Sequence, residues 1–346
     1  MARIRMSDIA ELAGVSTATV SRMLHTPDQV KESTRRRIQS VIEETGYVYD
    51  SAAGDFSRQT TSLFGLIVPT MKSSIHAELI HGIQAKIRPT RYSLTIGNTD
   101  YDTDVEISLF SLFRQRRVAG IITTGLHPEL QPLAEAAMED GVPVIVVWDT
   151  LTNGGASYVG FDNYQAAYKM TDYLLRLGHR RIALIMGPLH KEARVQKRFD
   201  GYCAALASYG VEAKAEYAIE KEPTLIDGRE AMTRLLALEE PPTAVFAASD
   251  VLAMGALAGA KDHGLRVPGD ISIAGFDDID FASFCDPPLT TVRVPAFEMG
   301  QIAGGILLDY TSNRSRDRQR YSLETSLVVR RSCAPPTTEQ LSRVDV

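Results

Sequence analysis

The stretch SDIAELAGVSTATVSRML, Ser7 to Leu24, reads as two short helices around one tight turn. Ile9, Ala10, Leu12 and Ala13 set apolar side chains on one face of a first helix, and Gly14 can take positive φ where that helix must stop. Val15 then turns inward, and Ser16 places a hydroxyl to cap a second helix. On that helix Val20 and Met23 point one way, whereas Thr17, Ala18, Ser21 and Arg22 point the other. The second face, which begins with Ser16 and includes Thr19, is short, small and polar and carries one guanidinium. Such a face enters a DNA major groove without steric conflict. The same turn also occurs in helix pairs of ordinary all-α domains, so its surroundings have to decide.

A third amphipathic helix, ESTRRRIQSVIEETG, comes next in the chain, with Ile38, Val41 and Ile42 inward and Gly46 as its stop. Together these make an all-α helix-turn-helix headpiece over residues 1–49. DIAELAGVSTATVSR with TRRRIQSVIEETGY after it resembles the headpiece of the lactose-repressor (LacI/GalR) family of bacterial transcription regulators. The position where that family usually caps the first helix is Arg5 here, although Ser7 could cap a shorter helix, and Lys31 stands before the third.

The net charge of −6 argues against a protein that coats nucleic acid by bulk attraction. In the headpiece Arg3, Arg5, Arg22, Lys31 and the run Arg35–Arg37 are nearly balanced by acids, so DNA affinity must come from placement. That run is either a solvated helix face or a set of phosphate contacts. With 44% hydrophobic and 23% charged residues, 346 residues make two or three globular domains. No apolar run is long enough to span a bilayer and MARIRMSD lacks a secretory core, so a cytoplasmic protein is expected. Cys203, Cys285 and Cys333 are far apart and lack metal-ligand spacing, which points to reduced structural thiols.

Residues 50–61 read as a linker with weak helical character interrupted by Gly54, helical only when another surface supports it. In the resembled family two such linkers push an apolar side chain into the minor groove at the operator centre. The matching position is Phe56, an apolar wedge; the bland alternative is a tether with Phe56 packed on the core.

From Ser62 the period changes. LFGLIVP, YSLTIGNT, GIITTG, VPVIVVWD, RIALIMG, AVFAASD and ISIAGFDD are short apolar runs separated by helical stretches, as in parallel sheets covered by helices. Tyr158–Asp162 and Thr290–Pro295 are the candidate crossings between two α/β lobes that face each other across a cleft, over residues 62–332. GHRRIALIMGP, SDVLAMGAL and GLRVPGDISIAGFDDI extend the resemblance to that family's periplasmic-binding-protein-like core. Residues 333–346, with Pro335 and Pro336, read as a disordered tail.

Asp149 and Asp277 end strands and Arg198 stands early in a helix, so all three open toward the inter-lobe space. Carboxylates accept from sugar hydroxyls, and a guanidinium donates in a fixed fork. The resemblance implies that these positions contact an effector, with a flavour of sugar or sugar-acid regulators. Asp162 is either a ligand contact or an Asx turn, with the former favoured; His76, Thr124 and Ser249 are further effector candidates, and Asp278 reads as a loop residue. Trp148 could stack on a sugar ring or simply be buried.

The histidines form no i, i+4 metal pair, and GxGxxG, GxxxxGK[ST] and GxSxG are lacking, so no enzyme, cofactor or metal is expected. The expected partners are near-palindromic operator DNA, a small effector and further copies of the chain, as homodimer or dimer of dimers, with no membrane. The competing reading is a cytoplasmic sugar-binding or sugar-modifying protein with a helical appendage.

Overall fold

The computed structural model describes residues 4–25, 27–48, 61–150, 155–312, 314 and 317–337. The chain divides into two compact units, Met1–Thr61 and Ser62–Val346.

In the first unit α1 (Met6–Leu12), α2 (Thr17–His25) and α3 (Glu32–Thr45) enclose Ile9, Val20 and Ile38, all fully buried, with Ala10, Ala13 and Met23 around them. Gly14 and Gly46 both take φ +61°, which ends α1 and α3 in the left-handed region. The Ser16 hydroxyl accepts the Thr19 amide at 3.2 Å, so α2 has its cap. Two expectations are corrected. Leu12 is 63% exposed, because it falls off the narrow stripe formed by Ile9, Ala10 and Ala13. Ser7 lies inside the first turn of α1, where Asp8 takes the Arg5 amide at 2.8 Å in place of a hydroxyl cap.

In the second unit the first lobe holds β1 (Leu63–Val68), α4 (Ser74–Ile87), β2 (Ser93–Asn98), α5 (Thr103–Gln115), β3 (Gly120–Thr123), α6 (Gln131–Glu139), β4 (Val144–Val147) and β5 (Ser157–Gly160). The second lobe holds α7 (Asn163–Arg176), β6 (Ile182–Met186), α8 (Ala193–Ser208), β7 (Ala218–Glu220), α9 (Leu225–Leu236), β8 (Ala244–Ala247), α10 (Asp250–Asp262), β9 (Ser272–Asp277) and β10 (Thr290–Arg293). Then α11 (Ala296–Thr311) returns to pack on α4, β11 (Arg320–Ser322) adds to the first sheet and β12 (Ser326–Val328) to the second. The sheet orders are β11-β5-β4-β3-β1-β2 and β12-β10-β9-β8-β6-β7, parallel throughout except β10 with β12. Helices cover both faces, and β3, β4, β6 and β8 are accordingly buried along their whole length.

The chain therefore passes between lobes three times, after β5, after β10 and between β11 and β12. Tyr158–Gly160 and Thr290–Arg293, expected as crossings, are strands that lead into the first two. The third escaped the sequence because β11 and β12 are three residues each, too short for a visible alternation. Where α11 meets α4, a Cβ on Gly82 would lie 2.1 Å from the Phe297 carbonyl oxygen, so glycine lets the two backbones touch.

The tail expectation is corrected for residues 333–337. Ser332 is fully buried, accepting the Thr290 amide at 2.8 Å, and the Ala334 carbonyl accepts from His179 Nε2 at 3.0 Å. Buried polar partners, rather than apolar bulk, hold this segment. Residues 338–346 and Phe56 lie outside the described residues. All three cysteines are free, and among the described residues no helix is long and apolar enough to cross a membrane.

Candidate DNA-reading face and effector cleft

On α2, Thr17, Ala18 and Arg22 are exposed and Ser21 is half-buried. Ser16 and Thr19 share a hydrogen bond of 2.9 Å between their hydroxyls, so both are engaged in the cap. The charge run on α3 is partly consumed locally: Arg36 pairs with Glu32, and Arg35 reaches Asp28 at 3.8 Å.

The candidate residues of the core do not share one cavity. Arg198, Asp277, Ser249 and His76 line a chamber of about 890 Å³, whereas Asp149 and Thr124 line a neighbouring one of about 320 Å³. Tyr101, Lys191, Glu192 and Arg194 line both and form the partition. Arg194, from the second lobe, donates to the Thr124 carbonyl of the first and pairs with Glu192. Lys197 donates to both carboxylate oxygens of Asp149 at 2.7 and 2.8 Å, a second fastening across the cleft.

In the larger chamber the Arg198 guanidinium stacks on Phe276, 3.8 Å from the ring centroid, and donates to Asn163 Oδ1 at 2.9 Å and to the Ala248 carbonyl at 2.8 Å. Asn163 in turn donates to the Trp148 carbonyl at 2.9 Å, linking Arg198 to the first lobe. Burial lowers Arg198 to about 10, which leaves it cationic at neutral pH. Asp277 keeps part of its surface open to the chamber while sitting deep among protein atoms. Burial raises its carboxyl to about 7, against the pull of Arg198 and Arg194.

Trp148 is buried at 5% exposure, and its indole N–H donates to His76 Nε2 at 3.3 Å. Because indole can only donate, neutral His76 carries its proton on Nδ1. Burial, reinforced by Arg194, lowers His76 to about 3 and keeps it neutral. Ser249 caps α10 by accepting the Leu252 amide at 3.3 Å while also facing the chamber. The ligand reading of Asp162 is corrected: it is exposed, lines neither chamber and caps α7 by accepting the Gln165 amide at 3.0 Å.

Sequence reasoning missed Arg194 and Lys197. The available signal was that Arg194 stands three residues before Lys197 and four before Arg198, since positions three and four apart are neighbours on the surface of α8. It also missed Asn163, Tyr101 and Asp250. Asp250 is buried and accepts from Thr291 Oγ1 at 2.6 Å and from the Ile279 amide at 2.8 Å.

Two family models match, bacterial regulatory proteins of the lacI family over residues 5–50 and a periplasmic binding protein-like domain over residues 171–333. The HTH-type transcriptional repressor CytR of Escherichia coli (strain K12) is 34% identical over 327 residues, 94% of this chain and 95% of that protein. The lac repressor dimer bound to operator aligns with a TM-score of 0.83 at 25% identity, covering 96% of this chain and 100% of that one. The transcriptional regulator CelR in complex with cellobiose aligns with a TM-score of 0.70 at 30% identity, covering 95% and 100%. The chain belongs to the lacI family of bacterial regulatory proteins. It is a DNA-binding transcription regulator with an effector-binding core, and not an enzyme.

Proposed function

We propose that the chain is a cytoplasmic repressor whose operator binding is set by a sugar or sugar acid held in the larger chamber. Two copies present their headpieces to the half-sites of a near-palindromic operator. Thr17, Ala18, Ser21 and Arg22 read base edges, and Phe56 wedges the minor groove between them. One observation carries the effector reading: Arg198, with donors to spare, and the Asp277 carboxyl, with no hydrogen bond to another described residue, line the same chamber. A hydroxylated ligand supplies acceptors to the first and donors to the second, and the cellobiose complex of CelR supports that class. A ligand that prefers one lobe arrangement shifts the population of operator-competent dimers.

A thermal-shift screen against sugars, sugar acids and nucleobases tests this, since a ligand of the native state raises its stability. The hit should bind Arg198→Ala roughly ten- to a hundredfold more weakly, the worth of a charged hydrogen bond, while operator binding persists. Undiminished affinity in that variant would remove Arg198 from the site, and a screen that answers only to nucleobases would replace the sugar reading.

A further inference from the structure

Asp277 and Asp278 both stand in the left-handed region, at φ +116° and +56°, although neither is glycine. Such backbone persists only where its surroundings over-determine it. Here the turn is fastened on both sides. The Asp277 carbonyl accepts the Val294 amide at 3.3 Å, and the Ile279 amide is held by the buried Asp250. Between them the Asp278 carboxylate, 5% exposed, accepts from Arg293 Nε and from Arg330 Nη2, each at 2.7 Å.

The two guanidiniums come from opposite ends of the lobe connections. Arg293 is the last residue of β10, immediately before the second lobe crossing, and Arg330 comes after β12, just beyond the third. Arg330 is itself tied down, donating to the Leu289 carbonyl at 2.8 Å. Both clamps therefore stand in the second lobe, next to chain segments that continue into the first.

We propose that Asp278 is a positioning residue: clamped by Arg293 and Arg330, it holds the strained turn that projects the Asp277 carboxyl into the larger chamber and ties that carboxyl to two of the three lobe crossings. Its value to the protein rests on the chamber being the effector site, whereas the titration that tests it needs no effector, so the two can fail separately.

The readout is the titration of Asp277, monitored by carboxyl-carbon NMR in the full chain labelled at aspartate and assigned by its loss in Asp277→Asn. The charged groups bearing on it are Arg198 and Arg194, with Asp250 and Tyr101 also within its field. Arg293→Gln and Arg330→Gln each remove a positive charge. A pure field effect of that loss would raise the Asp277 midpoint, while release of the turn into water would lower it. We expect a fall of about one pH unit or more in each variant, and recovery in Arg293→Lys, which keeps the charge and a donor. A midpoint unchanged or higher in Arg293→Gln would overturn the assignment, as would a wild-type midpoint in the ordinary carboxylate range. Arg293 is 57% exposed, so that variant decides the matter even if Arg330→Gln does not fold.

Discussion

Asp277 is a carboxyl that burial keeps protonated up to about 7 in the folded chain, against an ordinary value of 3.8. Between those values the folded state binds more protons than the unfolded one, so this group's contribution to stability is present at low pH and lost as pH rises through about 7. His76 and His179, lowered by burial to about 3 and about 4, act with the opposite sign and lose their contribution as pH falls. They are common to the wild type and Asp277→Asn, so the difference between the two isolates Asp277. Denaturant unfolding of both proteins from about pH 4 to about pH 8 should show the wild type losing on the order of a few kcal/mol relative to the variant. Parallel pH profiles would mean that the carboxyl is solvated. Most of this was beyond the reach of the sequence. The strand-end placement of Asp277 was legible, but its burial and the nearness of Arg198 and Arg194 are supplied by tertiary contacts.

Among the elements, α2 was the most legible, because its inward residues and its polar face lie within nine residues, with the cap just ahead of them. Arg22→Ala should cost roughly 1–3 kcal/mol of preference for the operator over a scrambled duplex at matched salt. Equal preference in competition gel shifts would take base reading away from this helix. The packing of α7 against α8 was illegible, although one glycine marks where their backbones meet. A Cβ on Gly201 would lie 2.2 Å from the Tyr164 carbonyl oxygen. Alanine gains about 1 kcal/mol of helix propensity at such a site, but a clash with backbone cannot be relieved by turning a rotamer. Gly201→Ala should therefore destabilise the core by about 1–3 kcal/mol net, and an unchanged unfolding midpoint would mean that the clash costs no more than the propensity gained.

For the molecule as a whole, the two units have separate hydrophobic cores, one around Ile9, Val20 and Ile38 and the others around the two sheets. Removal of residues 1–58 should abolish binding to an operator-like duplex while leaving a cooperative melting transition and the ligand-induced thermal shift. Retained duplex binding would favour a core that touches DNA directly; loss of the ligand shift would mean that the core needs the headpiece. The sequence by itself determined the headpiece, the α/β alternation of the core and the strand-end acids, because each is written in side-chain periods and caps only a few residues long. Tertiary structure decided the partition of the cleft into two chambers, the third lobe crossing, the packed segment at Ser332–Ala334 and the Asp278 clamp. These depend on pairs such as Lys197 with Asp149, 48 residues apart, and Arg330 with Asp278, 52 apart. No local pattern records such a pair, since its two members become neighbours only when the parallel sheets bring strand ends together.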